Sequence, residues 1–203
     1  HTRRQRQMCI RDRFLAEQLS EFYTDLLDPD FKSKFAIYHQ RYSTNTFPTW
    51  SLAQPFRVLA HNGEINTLKG NINWMSAHEP RITHPFFNER INDLKPILDS
   101  DASDSASLDG AFELLVQTDR DMPMAKSMII PEAWSNRSDI SEKLKDMYAY
   151  CNAVIEPWDG PAAICATDAK WVLAATDRNG LRPLRYAVTS DNLFFAGSES
   201  GTV

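Results

Sequence analysis

The sequence has no apolar run that approaches the roughly 18 residues a membrane-spanning helix requires, and it has no signal-peptide pattern. We therefore predict no membrane partner. It also lacks the GxGxxG and Walker-type loops of common nucleotide sites. Its three cysteines, Cys9, Cys151 and Cys165, have the spacing of neither a disulfide framework nor a zinc site. This cysteine usage favours a reducing cytoplasm.

The charge and histidine patterns argue against two further classes of function. The net charge is −5 at pH 7, and because residues 1–13 carry five Arg and one Asp, the remaining residues sum to −9. An acidic body of this kind does not indicate a nucleic-acid partner. The five histidines are scattered and match no zinc-hydrolase motif, so we predict no metal site. The side chains that could in principle bind a metal ion are His39, His61, Glu64, His78 and Glu79.

The first 13 residues, HTRRQRQMCIRDR, differ in character from the rest of the chain. They are polar, basic and aperiodic, and they join a well-patterned segment without a linker. We predict that residues 1–13 are a non-native arm, such as translated sequencing adapter, the alternative being a basic arm that binds nucleic acid. Residues 14–203 then form part of one globular domain, in keeping with an apolar content of 42% over the chain.

Hydrophobic periodicity predicts a mixture of helices and antiparallel strands, and hence the α+β class. One helix is expected to begin at the cluster Ser103-Asp104-Ser105, which is typical of an N-cap. The other predicted helices cover 14–27, 65–77 and 140–151, the last capped near Ser138 or Asp139. The predicted strands are 35–42, 57–61, 128–130, 161–167, 171–176, 184–189 and 193–196.

Three short polar elements suggest the chemistry of an amide. The strand 57–61 is expected to end at a tight Asn62-Gly63 turn, which would expose N–H donors suited to a developing oxyanion. Arg41 follows another predicted strand and could bind a carboxylate bidentately. Asp104 could hold an ammonium group. Taken singly, each has a structural reading: a hairpin turn, a surface salt bridge and a helix cap. Their joint occurrence predicts acyl transfer from an amide such as the glutamine side chain.

Beyond these elements, the chain resembles a known family. Residues 39–75, HQRYSTNTFPTWSLAQPFRVLAHNGEINTLKGNINWM, closely resemble the glutamine amidotransferase domain of the glutamate synthase family, as do 103–109 (SDSASLD) and 176–186 (TDRNGLRPLRY). The resemblance covers about 14–203. It implies an N-terminal-nucleophile hydrolase fold with four α/β/β/α layers and antiparallel sheets, of which this chain would be the C-terminal part.

The resemblance also implies roles for the candidate residues. Arg41 would bind the α-carboxylate of L-glutamine, Asp104 its α-ammonium group, and Asn62 with Gly63 the oxyanion. The family's nucleophile is the N-terminal Cys of the mature protein, which this sequence lacks. Cys9 is rejected as a substitute, since Ile10-Arg11-Asp12 are not the small residues expected beside a nucleophile. We therefore expect a fragment that does not hydrolyse glutamine by itself.

For the complete enzyme, the resemblance implies FMN and an iron–sulfur cluster, which support reductive conversion of 2-oxoglutarate to glutamate; no cofactor is expected within this chain. The expected partners are the rest of the domain, the downstream synthase domains, and a small subunit or ferredoxin. The expected location is the cytoplasm, or a plastid if the source is a photosynthetic eukaryote. The alternatives are a noncatalytic glutamine-binding module, or another class II amidotransferase, against which TFPTWSLAQPF and INTLKGNINWM argue.

Overall fold

The computed structural model describes residues 16–40 and 49–201, a range that excludes Arg41. Within it, helices and antiparallel strands are mixed, as predicted, and no helix is long and apolar enough to cross a membrane. The helices are α1 (Leu19–Phe22), α2 (Leu68–His78), α3 (Asp104–Gln117), α4 (Met122–Ile129) and α5 (Glu142–Val154). The strands are β1 (Leu59–Gly63), β2 (Ala162–Thr167), β3 (Val172–Thr176), β4 (Arg185–Val188) and β5 (Phe194–Gly197).

Two antiparallel sheets are formed by these strands. The first has the order β1-β2-β3, with Ala60 opposite Cys165 and Cys165 opposite Ala174. The second is the hairpin β4–β5, in which Tyr186 lies opposite Ala196. The four strands predicted after residue 160 are thereby confirmed to within two residues at each end.

The core lies between the first sheet and the helices. Ser103 caps α3 by accepting a hydrogen bond from the Ala106 N–H (3.1 Å), and the apolar stripe of the helix is fully buried at Leu108 and Phe112. On β1, the alternation of a strand turns Leu59 toward the same core. The remaining large members of the core include Met122, Met128, Ile129, Ile130, Trp158 and Ile164.

One predicted helix and one predicted strand were wrong. The predicted helix 14–27 is, in its described part, only the single turn α1, with short 3₁₀ segments at Ala16–Gln18 and Thr24–Leu27. No residue of α1 is buried. Helices this short depend on tertiary packing for their stability, so an apolar stripe without burial does not hold a regular helix. The predicted strand 128–130 is instead the end of α4 and the residue after it, because Asp121 caps that helix through the Met124 N–H (2.9 Å).

The strand predicted at 35–42 is also absent from its described part, residues 35–40. Helix α2 starts three residues later than predicted, since the N–H of Ile65 is bound by Asp104, and those of Asn66 and Thr67 by the carbonyl of Asp159. Helix α5 likewise starts later than predicted, and its cap is Ser141.

The prediction of a tight turn at Asn62-Gly63 was also wrong. Both residues belong to β1, where they lie opposite Ala163 and Ala162. Gly63 has φ +147°, a conformation that side chains rarely adopt, and a Cβ there would lie 1.8 Å from the carbonyl oxygen of Pro161. A glycine is therefore required at the end of this strand by backbone conformation and by the closeness of β2.

We predict that Gly63→Ala lowers the free energy of unfolding by about 2–6 kcal/mol, the sum of backbone strain and steric overlap. Gly70→Ala is the matched control, because a Cβ on Gly70 in α2 meets no atom within 4 Å. That change should leave stability equal or raise it by up to about 1 kcal/mol. Urea unfolding followed by circular dichroism measures both, and equal midpoints for Gly63→Ala and the wild type would contradict the β1–β2 register.

Candidate functional site

Alternate N–H groups along β1 point to opposite sides of the strand. Those facing β2 include the adjoining Glu64 N–H, which donates to the carbonyl of Pro161 (2.9 Å). The others point to the free edge, where side chains accept them: Asp109 from Leu59 (3.0 Å), Gln54 from His61 (2.6 Å) and Asp104 from Ile65 (2.9 Å). The Gly63 N–H follows this alternation, and no residue in the described ranges accepts it. It is therefore a donor available to a ligand.

Asn62 is a second donor beside it. Its side chain is partly buried, and its Nδ2 donates to the Ser198 hydroxyl oxygen at 2.9 Å. A carboxamide nitrogen carries two hydrogens, and among the described residues only Ser198 accepts one of them, so the second can serve a ligand. Neighbouring donors of this kind can stabilise a negative oxygen that develops during a reaction.

Asp104 is the first residue of α3, and the cap itself is Ser103. Its Oδ1 accepts the Ser105 N–H (2.7 Å) and its Oδ2 accepts the Ile65 N–H (2.9 Å), so the carboxylate joins the helix start to the residue two beyond Gly63. The side chain is 23% exposed. Since each carboxylate oxygen has two lone pairs, Asp104 can accept further hydrogen bonds from a cation.

His61 lies beneath this carboxylate and is fully buried. Its Nδ1 is 2.8 Å from the Ser105 hydroxyl oxygen and 3.9 Å from Asp104 Oδ2. Burial lowers the pKa of His61; Asp104 and the carbonyl of Pro161 oppose the shift, whereas His39 and Arg182 add to it. The imidazole is therefore neutral at pH 7 and does not compete with a cation for Asp104.

Asp109 and Asp177 are buried carboxylates that the sequence analysis missed. Asp109 accepts the N–H groups of Val58 (2.9 Å) and Leu59 (3.0 Å), and so fixes the start of β1 to α3. Asp177 accepts four backbone N–H groups, from Ala162, Asn179, Leu181 and Arg182. Burial would raise the pKa of Asp177, but these four hydrogen bonds together lower it below its ordinary value. Both aspartates lie in segments that resemble the family, 103–109 and 176–186, but the sequence did not indicate which N–H groups they bind.

The candidate residues thus divide into three groups. Asn62, Gly63 and Asp104 are brought together by the bonds between the end of β1 and the start of α3, while Arg41 lies outside the described residues. The metal candidates are dispersed: His78, for example, pairs with Glu156 (2.9 Å). No group of three or more His, Cys, Asp or Glu side chains in the described ranges could hold a metal ion.

Two described cysteines remain as candidate nucleophiles. Cys151 is buried in α5 and Cys165 is partly buried in β2. Burial raises the pKa of both thiols. Because the thiolate is the reactive form, neither environment activates its cysteine.

Comparison with known proteins gives a consistent match. The family model for class II glutamine amidotransferases matches residues 4–203, beginning within the arm whose non-native origin stays a prediction. The chain is 57% identical over 198 residues to the glutamate synthase (NADPH) large chain of Azospirillum brasilense, covering 98% of this chain and 13% of that protein. It is 50% identical over 187 residues to the ferredoxin-dependent glutamate synthase of Pyropia yezoensis (91% and 12%) and to the glutamate synthase (NADPH) large chain of Bacillus subtilis (92% and 12%). The chain therefore spans about an eighth of the length of these relatives.

We predict that Asp177→Asn lowers the free energy of unfolding by about 3–5 kcal/mol at pH 7, because an amide NH₂ would replace a carboxylate oxygen that accepts two N–H groups. Asp146→Asn, on the exposed face of α5, is the control and should change stability by less than about 0.5 kcal/mol.

The difference between wild type and Asp177→Asn should also depend on pH. The pKa of Asp177 is lowered in the folded chain, so its contribution is complete above the unfolded value of about 3.9 and is lost as pH falls toward the folded value. Urea midpoints measured from pH 7 to pH 3 test this, and a difference that stays constant over that range would contradict it.

Proposed function

The chain belongs to the class II glutamine amidotransferases, and on that basis we propose that it forms the substrate-binding part of the glutaminase domain of a glutamate synthase. The observation that carries the proposal is the Gly63 N–H, which no residue within 16–40 and 49–201 accepts, beside the Asn62 carboxamide and two residues before the backbone group that Asp104 binds. These groups have the chemistry needed to bind the reacting amide and the α-ammonium group of one L-glutamine molecule.

In the proposed reaction, a nucleophile attacks the side-chain carbonyl carbon of glutamine, and the carbonyl oxygen becomes an oxyanion. The Gly63 N–H and the free N–H of Asn62 donate to that oxygen. Collapse of the tetrahedral intermediate breaks the carbon–nitrogen bond and releases ammonia, after which water hydrolyses the acyl-enzyme to glutamate. Following the family resemblance, we assign the nucleophile to the N-terminal Cys of the complete polypeptide and its α-amino group to the role of base.

Recognition of free glutamine is assigned to two charged residues. Asp104 would bind the α-ammonium group, and a neutral His61 beneath it supplies no positive charge that would compete with that group. Arg41, from the segment outside the described ranges, would bind the α-carboxylate bidentately. A glutamine inside a peptide chain lacks both free charges and would be excluded.

The wider protein is part of the proposal. We propose that the ammonia is used by later domains for the reductive conversion of 2-oxoglutarate to glutamate, with FMN and an iron–sulfur cluster held there. The described residues do not fit either group: Cys151 and Cys165 lie in separate elements, and an open cleft of about 400 Å³ is lined by charged and polar residues such as Glu132, Arg137 and Arg178, not by an apolar wall for a flavin ring. The four-layer architecture and a location in the cytoplasm or a plastid belong to the same proposal.

In the complete polypeptide, Asn62→Ala is expected to lower the kcat of glutaminase turnover by about 10²- to 10³-fold, the usual effect of losing one oxyanion donor. Steady-state release of glutamate measures it. Arg41→Lys and Asp104→Asn provide the contrast, since both residues bind glutamine before it reacts and their loss should raise KM. Unchanged kcat in Asn62→Ala would remove Asn62 from the oxyanion site.

The 203-residue chain by itself is expected not to hydrolyse glutamine, because neither described cysteine has an activated thiol and Cys9 is not the family's nucleophile. The assay compares the purified chain with its Cys9→Ala variant. Turnover that persists in the variant would show that a nucleophile other than an N-terminal Cys is present. Turnover abolished by Cys9→Ala would show that the rejection of Cys9 was wrong.

A further inference from the structure

The side chain of the proposed oxyanion donor Asn62 is hydrogen-bonded to a residue near the C-terminal end of the described chain. Its Nδ2 donates to the hydroxyl oxygen of Ser198 at 2.9 Å, although the two residues are 136 positions apart. Ser198 directly follows β5, the second strand of the hairpin sheet. The contact therefore joins the end of β1 in the first sheet to the end of β5 in the second.

The Ser198 hydroxyl donates one hydrogen bond and accepts another, and its neighbours determine which is which. Glu199 Oε1 accepts from the Arg182 guanidinium (3.0 Å) and, more weakly, from the Ser198 hydroxyl (3.4 Å). A hydroxyl that donates to a carboxylate keeps its lone pairs for another donor. The Ser198 oxygen is thereby left to accept from Asn62, which fixes the nitrogen of the carboxamide, and not its oxygen, on this side.

The same network continues to β2, the strand paired with β1. The N–H of Arg182 is bound by Asp177 Oδ2 (2.9 Å), and that oxygen also accepts the N–H of Ala162 (3.0 Å). Ala162 is the residue opposite Gly63 in the sheet. A chain of contacts therefore runs from Asn62 through Ser198, Glu199, Arg182 and Asp177 to the residue opposite Gly63.

We infer that Ser198 is a positioning residue for the reaction, which sets the rotation of the Asn62 carboxamide so that its second N–H is ready for the oxyanion. An Asn side chain rotates broadly about its last torsion angle. A donor contributes most to catalysis when its direction is fixed before the reaction. The inference rests on the proposed function, since it assumes that Asn62 binds the oxyanion.

The test uses the complete polypeptide and a double-mutant cycle. Ser198→Ala is expected to lower kcat by roughly 2- to 12-fold, the value of one neutral hydrogen bond, with KM for glutamine unchanged. Ser198→Thr keeps the hydroxyl and should restore most of the rate. Ser200→Ala, two residues on and exposed, is the matched control and should have no effect.

The decisive measurement is Ser198→Ala in an Asn62→Ala background. If Ser198 acts through Asn62, it should cause no further loss of kcat there. An equal loss in both backgrounds, or a rise in KM alone, would overturn the inference and assign Ser198 a structural role. An unchanged kcat in Ser198→Ala would overturn it as well, while a large effect of Asn62→Ala would leave the proposed function standing. No effect of Asn62→Ala would instead remove Asn62 from the proposed oxyanion site, and the role of Ser198 with it.

Discussion

The free edge of β1 is the constraint on which the candidate site depends. An edge strand carries backbone N–H groups that must find acceptors or water. Helix α3 supplies two acceptors, because Asp109 binds the strand near its start and Asp104 binds the chain just beyond its end. Once these bonds fix the strand, alternation turns the Gly63 N–H toward the same edge. The available donor is thus a consequence of how the edge strand is held.

At this edge, the sequence singled out the residues of the candidate site, but it predicted the wrong backbone conformation for two of them. The Ser103-Asp104-Ser105 cluster correctly marked the start of α3. Asn62 and Gly63 were read as a tight turn, since turn propensity is a local property. In the structure they continue β1, because they pair with Ala163 and Ala162 far downstream. Local sequence cannot report a partner at that distance, although the need for glycine remains.

The residues that sequence analysis missed were missed for the same reason, because their partners are distant in the sequence. Asp109 and Ser198 act on atoms 50 and 136 positions away, and neither stands out from its neighbours in the sequence. The wrong helix at 14–27 is the complementary case, in which local periodicity was present but the burial that would stabilise it was not. Elements whose stability is local or which form neighbouring hairpins, such as α3 and β2–β3, were predicted well.

Asp104, Asp109 and Asp177 all bind backbone N–H groups of the first sheet or of the residues beside it. How many of their lone pairs the backbone already uses distinguishes a structural carboxylate from one that can bind a ligand. Asp177 accepts four N–H groups and is buried. Asp109 binds the start of β1 with its side chain only 3% exposed. Asp104 accepts two and is 23% exposed, with a neutral imidazole beneath it. A carboxylate already saturated by the backbone cannot exchange its partners for a ligand without unfolding its surroundings. Asp104 alone of the three keeps accessible lone pairs, and it lies at the end of the strand where the donors of Asn62 and Gly63 are found.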